Sequence, residues 1–220
     1  KNMFSAAEEN YLKAIYALQL EHGSLVSTNV IAEKICTKAS SVTDMLKKLS
    51  AKNLVDYQKY RGVFLTETGM QLALKVMRKH RLWEYFLVEK LNFKWEEVHV
   101  IAEQLEHINS ESLVDNLDEF LGFPRFDPHG DPIPDKNGKM SKSELNNLLQ
   151  VNIGDSAVLK YVKDSSEPFL KYLNKIYLSL GDRIELVDRE PCDDSLKIRI
   201  HNQQIHISKN VAGKLFVKNI

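Results

Sequence analysis

The 220-residue chain is predicted to be mainly α with a small β tail. An N-terminal winged helix-turn-helix is expected over residues 1–74, a helical dimerisation and metal-binding domain with its linker over 75–140, and a small β-barrel over 141–220. Three observations predict this. Apolar residues recur at helical spacing as far as Leu121, broken once by a strand, turn and strand pattern between Leu54 and Thr66. The stretch from Gly122 to Met140 is rich in Pro, Gly and Asp and has no period, as a linker does. Beyond it the pattern becomes a series of short alternating runs.

In order, Ala6 to Leu20 reads as an amphipathic helix through Tyr11, Leu12, Ile15, Tyr16 and Leu18, with Gly23 as its stop. Ser27 or Thr28 can cap a short helix through Ile35, and a second helix runs from Ser40 to about Lys52 after a turn. Val42, Met45, Leu46 and Leu49 form its buried stripe, and Ser41, Thr43, Asp44, Lys47 and Lys48 face outward. Leu54–Tyr57 and Val63–Thr66 are strands joined by a basic turn. Two helices followed by such a hairpin make a winged helix-turn-helix. Its second helix offers Ser40, Ser41, Thr43 and Asp44 to base edges, while Lys38, Lys47, Lys48, Lys59 and Arg61 reach phosphates. A helix from Thr66–Thr68 to about Lys90, a second from Trp95 to Ile108 and a third from Ser110 or Glu111 to Leu121 are apolar enough for a dimerisation unit. Ser141 to Glu144 reads as a capping box opening a short helix. Strands follow at Ser156–Val162, Arg183–Asp188, Leu196–His201, Ile205–Ser208 and Leu215–Asn219, with a turn at Asn202–Gln203 and a helical insertion from Glu167 to Tyr177. Short strands in a compact tail suggest a small barrel.

Thirty basic and thirty acidic residues balance to zero, but they are not mixed. From Thr37 to Arg61 six bases face two acids, whereas eleven acids and one base lie between Trp95 and Asp135. A basic head beside an acidic middle fits a nucleic-acid footprint next to a cation site. No apolar run is long enough for a membrane span, no signal peptide is visible, and two distant cysteines make no disulfide framework, so a cytoplasmic protein is expected. Cys36 is expected in packing, and His22, His129, His201 and His206 in solvent.

The chemistry concentrates elsewhere. His99, Glu103, Glu106 and His107 fall within roughly a third of a helix circumference, and His80 and Glu84 share a face of the preceding helix. One such pair is common on any solvated helix. Two sets within one short segment point to a transition metal held by imidazole and carboxylate. A carboxylate-bridged di-metal enzyme would want two Glu-x-x-His motifs, and only Glu96–His99 is present. A metal-binding adaptor acting through the tail barrel is a third reading, against which the winged head counts.

The chain resembles the diphtheria toxin repressor family of metal-dependent transcriptional regulators. The resemblance is carried by Glu9-Asn10-Tyr11-Leu12-Lys13-Ala14-Ile15-Tyr16, Lys59-Tyr60-Arg61-Gly62 with Leu65-Thr66, Met77-Arg78-Lys79-His80-Arg81-Leu82, Leu105-Glu106-His107, Pro124 and Gly130-Asp131-Pro132-Ile133-Pro134. It implies a homodimer that represses genes, often for metal uptake, by binding operator DNA when Fe(II) or Mn(II) is plentiful. By position it implies one ion on Asn10, Glu103, Glu106 and His107 and an ancillary ion on His80, Glu84 and His99. The resemblance also implies a candidate ligand from the tail, for which Glu167 is the nearest match and Asp164 competes. Glu103 stands where iron-responsive members carry Cys, as in manganese-responsive relatives, so the resemblance favours Mn(II) over Fe(II).

Overall fold

The computed structural model describes residues 4–23, 25–58, 61–141 and 144–220. Helix α1 (Ala6–His22) starts at a capping box in which the Ser5 hydroxyl accepts from the Glu8 amide and the Glu8 carboxylate takes the Ser5 amide; Gly23, at φ +94°, stops it. Helices α2 (Thr28–Lys34, capped by Ser27) and α3 (Ala39–Ala51) follow. They close on a core of Leu12, Ile15, Ile31, Val42, Leu46 and Leu49, none measurably exposed. Met45 leaves the expected stripe and is half-buried. Cys36 is exposed at φ +52° in the turn before α3, so packing is not its role.

Strands β1 (Val55–Gln58) and β2 (Gly62–Leu65) pair antiparallel as the wing, and Val26 joins the edge through two 2.9 Å bonds with Val63. A 25-residue helix, α4 (Glu67–Leu91), comes next. The helix expected at Trp95–Ile108 is shorter, since α5 spans only Val98–Leu105. At its start Glu97 turns back on Lys94, and at its end Ile108 bonds to the Leu105 carbonyl three residues behind, which tightens the chain into a turn. Glu106 and His107 therefore lie in that turn rather than on the helix. Helix α6 (Glu111–Phe120) follows.

By contact the chain divides into two compact units, one of residues 1–80, 104–117 and 134–139 and one of residues 81–103, 118–133 and 140–220. The second contains the tail. After β3 (Asn146–Asn147) and a 3₁₀ turn at Leu148–Gln150 come β4 (Ser156–Val162), α7 (Glu167–Lys175), β5 (Arg183–Arg189), β6 (Leu196–Ile200), β7 (Gln203–Ile207), α8 (Lys209–Ala212) and β8 (Leu215–Asn219). The strands form one antiparallel sheet in the order β3-β8-β4-β5-β6-β7 around its own core, with Leu159, Leu170, Leu173, Ile184, Leu186 and Ile198 fully buried.

The tail sheet corrects two expectations. Among the described residues β3 and β7 are unpaired edges, so the barrel does not close, and a six-stranded sheet makes "mainly α" too loose a description. The capping box lies at Asn147 and Gln150 instead of Ser141 and Glu144, where Lys142 and Ser143 fall outside the described residues. The β6–β7 turn is His201–Asn202, one residue earlier than expected, because both hold the positive φ that a two-residue hairpin needs. No helix among the described residues is long and apolar enough to cross a membrane.

Candidate functional site

In the first unit, successive carboxylates of α1 point to different tasks. Glu8 and Glu9 are both buried, at 1% and 4% exposure, which a solvated first turn would not require. Glu8 Oε1 holds Lys52 Nζ at 2.6 Å and Lys48 Nζ at 3.3 Å, tying α1 to the end of α3. Burial opposes its charge, but the Lys52 bond, the Ser5 amide and Lys48 outweigh this and bring its pKa down to about 2. The sign follows from linkage. A folded pKa below the ordinary 4.5 gives stability that is complete above 4.5 and fades as pH falls towards 2. Glu8→Gln is expected to lower unfolding stability by about 1–2 kcal/mol at pH 7, discounted for the exposed lysines, with the difference from the parent shrinking in urea melts at pH 3.

Glu9 faces the other way. Its Oε2 lies 2.6 Å from His107 Nδ1 and its Oε1 is 3.7 Å from Lys79 Nζ. Glu106, fully buried, accepts from Lys13 Nζ on both oxygens at 2.7 and 2.8 Å and is hydrogen-bonded to His80 Nδ1 at 2.5 Å. His107 Nε2 is 3.7 Å from the same carboxylate. Burial disfavours the Glu106 anion, yet the His80 bond and the Lys13 charge hold its carboxyl below the usual range. Two carboxylates and two imidazoles from α1, α4 and the turn after α5 thus form a chain of contacts, Glu9 to His107 to Glu106 to His80. A lysine ammonium already on Glu106 marks it as an anion built to take a cation, and oxygen and imidazole donors suit Mn(II) or Fe(II).

Asn10, expected as the α1 donor, is exposed, and its neighbour Glu9 is the α1 side chain that meets His107. The ligand atoms of His80, Glu84 and His99, expected together, all lie within 4.8 Å of one another, and His80 also bonds to Glu106.

A second cluster lies in the other unit. Buried Glu84 has one oxygen 3.3 Å from His99 Nδ1 and the other 3.7 Å from His129 Nδ1, and His129 is 4.0 Å from Asp127. Ligand atoms of Glu84, Asp127 and His129 all lie within 4.8 Å of one another, close enough for one ion. Burial and the charges of Asp131 and Glu84 push Asp127 up, and His129 is raised against its own burial by its bond to Glu84. His129 is therefore not the solvated loop residue expected: it is 1% exposed, stacked on Trp95 and bonded to the Trp95 carbonyl at 2.9 Å. An Asp-x-His spacing inside the Pro and Gly loop was the available signal for it. Glu103, half-exposed, reaches His99 Nε2 at 3.6 Å. Glu167 is exposed and paired with Lys171 at 2.6 Å, and Asp164 is paired with Lys214 at 2.7 Å.

On the exposed side of α3 stand Ser40, Ser41, Asp44, Lys47 and Lys48, with Thr43 half-buried and donating its hydroxyl to the Ala39 carbonyl. Asp44 pairs with Lys47 at 3.4 Å. Lys38 is the N-cap of the helix and makes no side-chain cap bond. Arg61 is exposed in the wing, while Lys59 lies outside the described residues.

The chain can now be compared with known proteins. Residues 3–63 match the family "Iron dependent repressor, N-terminal DNA binding domain", residues 66–135 its "metal binding and dimerisation domain", and residues 146–219 the "FeoA domain". The iron-dependent repressor IdeR of Mycobacterium tuberculosis is 38% identical over 126 residues, 57% of this chain and 54% of that protein. The chain thus spans about half the length of such curated relatives. Among solved structures, a manganese-dependent transcriptional repressor in complex with manganese shares 34% identity over 97% of this chain and 100% of that one, at a TM-score of 0.87. ScaR with bound Zn2+ shares 31% over 97% and 99%, at 0.80.

Proposed function

This chain belongs to the diphtheria toxin repressor family, and we propose that it is a metal-dependent transcriptional repressor that binds operator DNA as a homodimer. The observation that carries the reading is the chain of contacts from Glu9 through His107 and Glu106 to His80, because it joins the first turn of α1 to the turn after α5. A bound divalent cation, Mn(II) first and Fe(II) second, would supply the positive charge that holds these donors together. Glu9 fixes the start of α1, and Glu8 beside it holds α3 through Lys48 and Lys52, so the site and the reading helix share one rigid turn. The N-terminus of α3 and its Ser40, Ser41, Thr43 and Asp44 then meet base edges while Lys38, Lys47, Lys48, Lys59 and Arg61 meet phosphates. Glu84, Asp127 and His129, with His99, form an ancillary site; Glu103 beside His99 is a candidate donor to it, and Glu167 or Asp164 is a candidate donor from the tail.

The reading places the head at 1–74, the dimerisation unit at 75–140 and the tail domain at 141–220, in a protein acting in the cytoplasm and performing no catalysis. Two copies would present their α3 helices to adjacent major grooves. The test uses duplexes selected from random DNA in the presence of Mn(II), titrated with protein under Mn(II), Fe(II), Zn(II) or chelator. Binding at least about tenfold tighter with Mn(II) than with chelator is expected, and equal binding would refute the reading. The α1 donor is separable in the same assay. Glu9→Gln is expected to raise the Mn(II) requirement about tenfold or more and Asn10→Ala less than twofold; the reverse order would assign the ligand to Asn10.

A further inference from the structure

We propose that Lys13 is a built-in competitor for the metal, setting how much divalent cation is needed before the site fills. The inference rests on the metal reading above. Glu9 and Lys13 are four residues apart on α1 and so share a face of that helix. Lys13 Nζ sits 2.7 Å from one Glu106 oxygen and 2.8 Å from the other, which puts the ammonium on the carboxylate's bisector, where a chelated ion would also sit. Both Glu106 oxygens face this one ammonium, and Glu106 itself is fully buried. Lys13 keeps 18% exposure of its side chain, so it has a route outward along its flexible stem.

The same logic is repeated at Glu9, where Lys79 Nζ stands 3.7 Å from the oxygen that does not meet His107. Each carboxylate is thus neutralised by a lysine of the chain itself. Two cations cannot share the inner face of one carboxylate without strong repulsion in a buried site. Metal entry must therefore move Lys13 off Glu106, and that displacement is subtracted from the affinity the donors would otherwise give. The competitor costs nothing in oxygen or imidazole donors, because lysine offers none in its charged form.

The experiment measures free Mn(II) by electron paramagnetic resonance in titrations of the full chain and of Lys13→Met, with circular dichroism confirming the fold; Lys13→Gln serves if the Met variant fails to fold. Lys13→Met is expected to bind Mn(II) about tenfold more tightly, and to melt at lower temperature than the parent without metal because Glu106 then lacks its cation. Unchanged or weaker Mn(II) binding in the folded variant, with the parent binding normally, would overturn the role of Lys13 alone. Failure of the parent to bind Mn(II) would overturn the metal reading with it.

Discussion

Glu106→Gln is expected to weaken Mn(II) binding by about 100-fold or more and to remove metal-dependent DNA binding at any attainable Mn(II) concentration. The substitution keeps the shape and removes the charge. Glu106 is the fully buried hub to which Lys13 and His80 both bond, and His107 lies within 3.7 Å of it. A neutral amide keeps one acceptor for Lys13 and replaces the other with an NH2 that the ammonium cannot accept from, so the half-buried ammonium would lose its anion as well. The variant should therefore also unfold at lower denaturant in the absence of metal, by about 2–3 kcal/mol. Calorimetric titration with Mn(II) beside a urea melt separates the two effects. Retained affinity in a folded variant would remove Glu106 from the ligand set.

The second large effect is structural. Gly69 lies in the first turn of α4, where an added Cβ would fall 1.9 Å from the Leu54 carbonyl oxygen and 2.9 Å from its carbon. The neighbour is backbone, and it is held: Thr66 donates its amide to that same Leu54 carbonyl, and the Thr66 hydroxyl bonds to Asn53. Nothing flexible can yield, so Gly69→Ala is expected to cost about 3 kcal/mol or more and Gly69→Val to prevent folding of the head. A thermal melt followed by circular dichroism checks this. A shift of under a degree for Gly69→Ala would mean that α4 moves freely against the wing.

Much of this arrangement is legible without coordinates, because period and capping are local. The head helices, the wing and five tail strands follow from apolar spacing and turn chemistry, and the observed limits of β4, β6 and β8 lie within a residue of those expected. What failed needed long-range information. Sheet closure depends on whether β3 and β7 meet, which no local pattern encodes. The end of α5 at Leu105 depends on a turn that carries Glu106 and His107 out of helical phase, so the helical-wheel argument assumed a geometry that these two residues do not have. His129 looked solvated because its loop is polar and aperiodic. It is buried by the Trp95 ring, 34 residues away in the chain, and its carbonyl is taken by the Val162 amide at 3.0 Å. Glu9 and Asn10 are adjacent, and only the rotation of α1 against the rest of its unit tells which one faces His107.

If metal and DNA binding are coupled through α1, reciprocity makes the coupling measurable in one cycle. Mn(II) affinity should be determined for the full chain alone and again with saturating selected duplex. If the cation favours the DNA-binding arrangement, the duplex must tighten Mn(II) by the same factor, about tenfold or more, by which Mn(II) tightens the duplex. Identical Mn(II) affinities with and without DNA would show that the two binding events are not linked through α1.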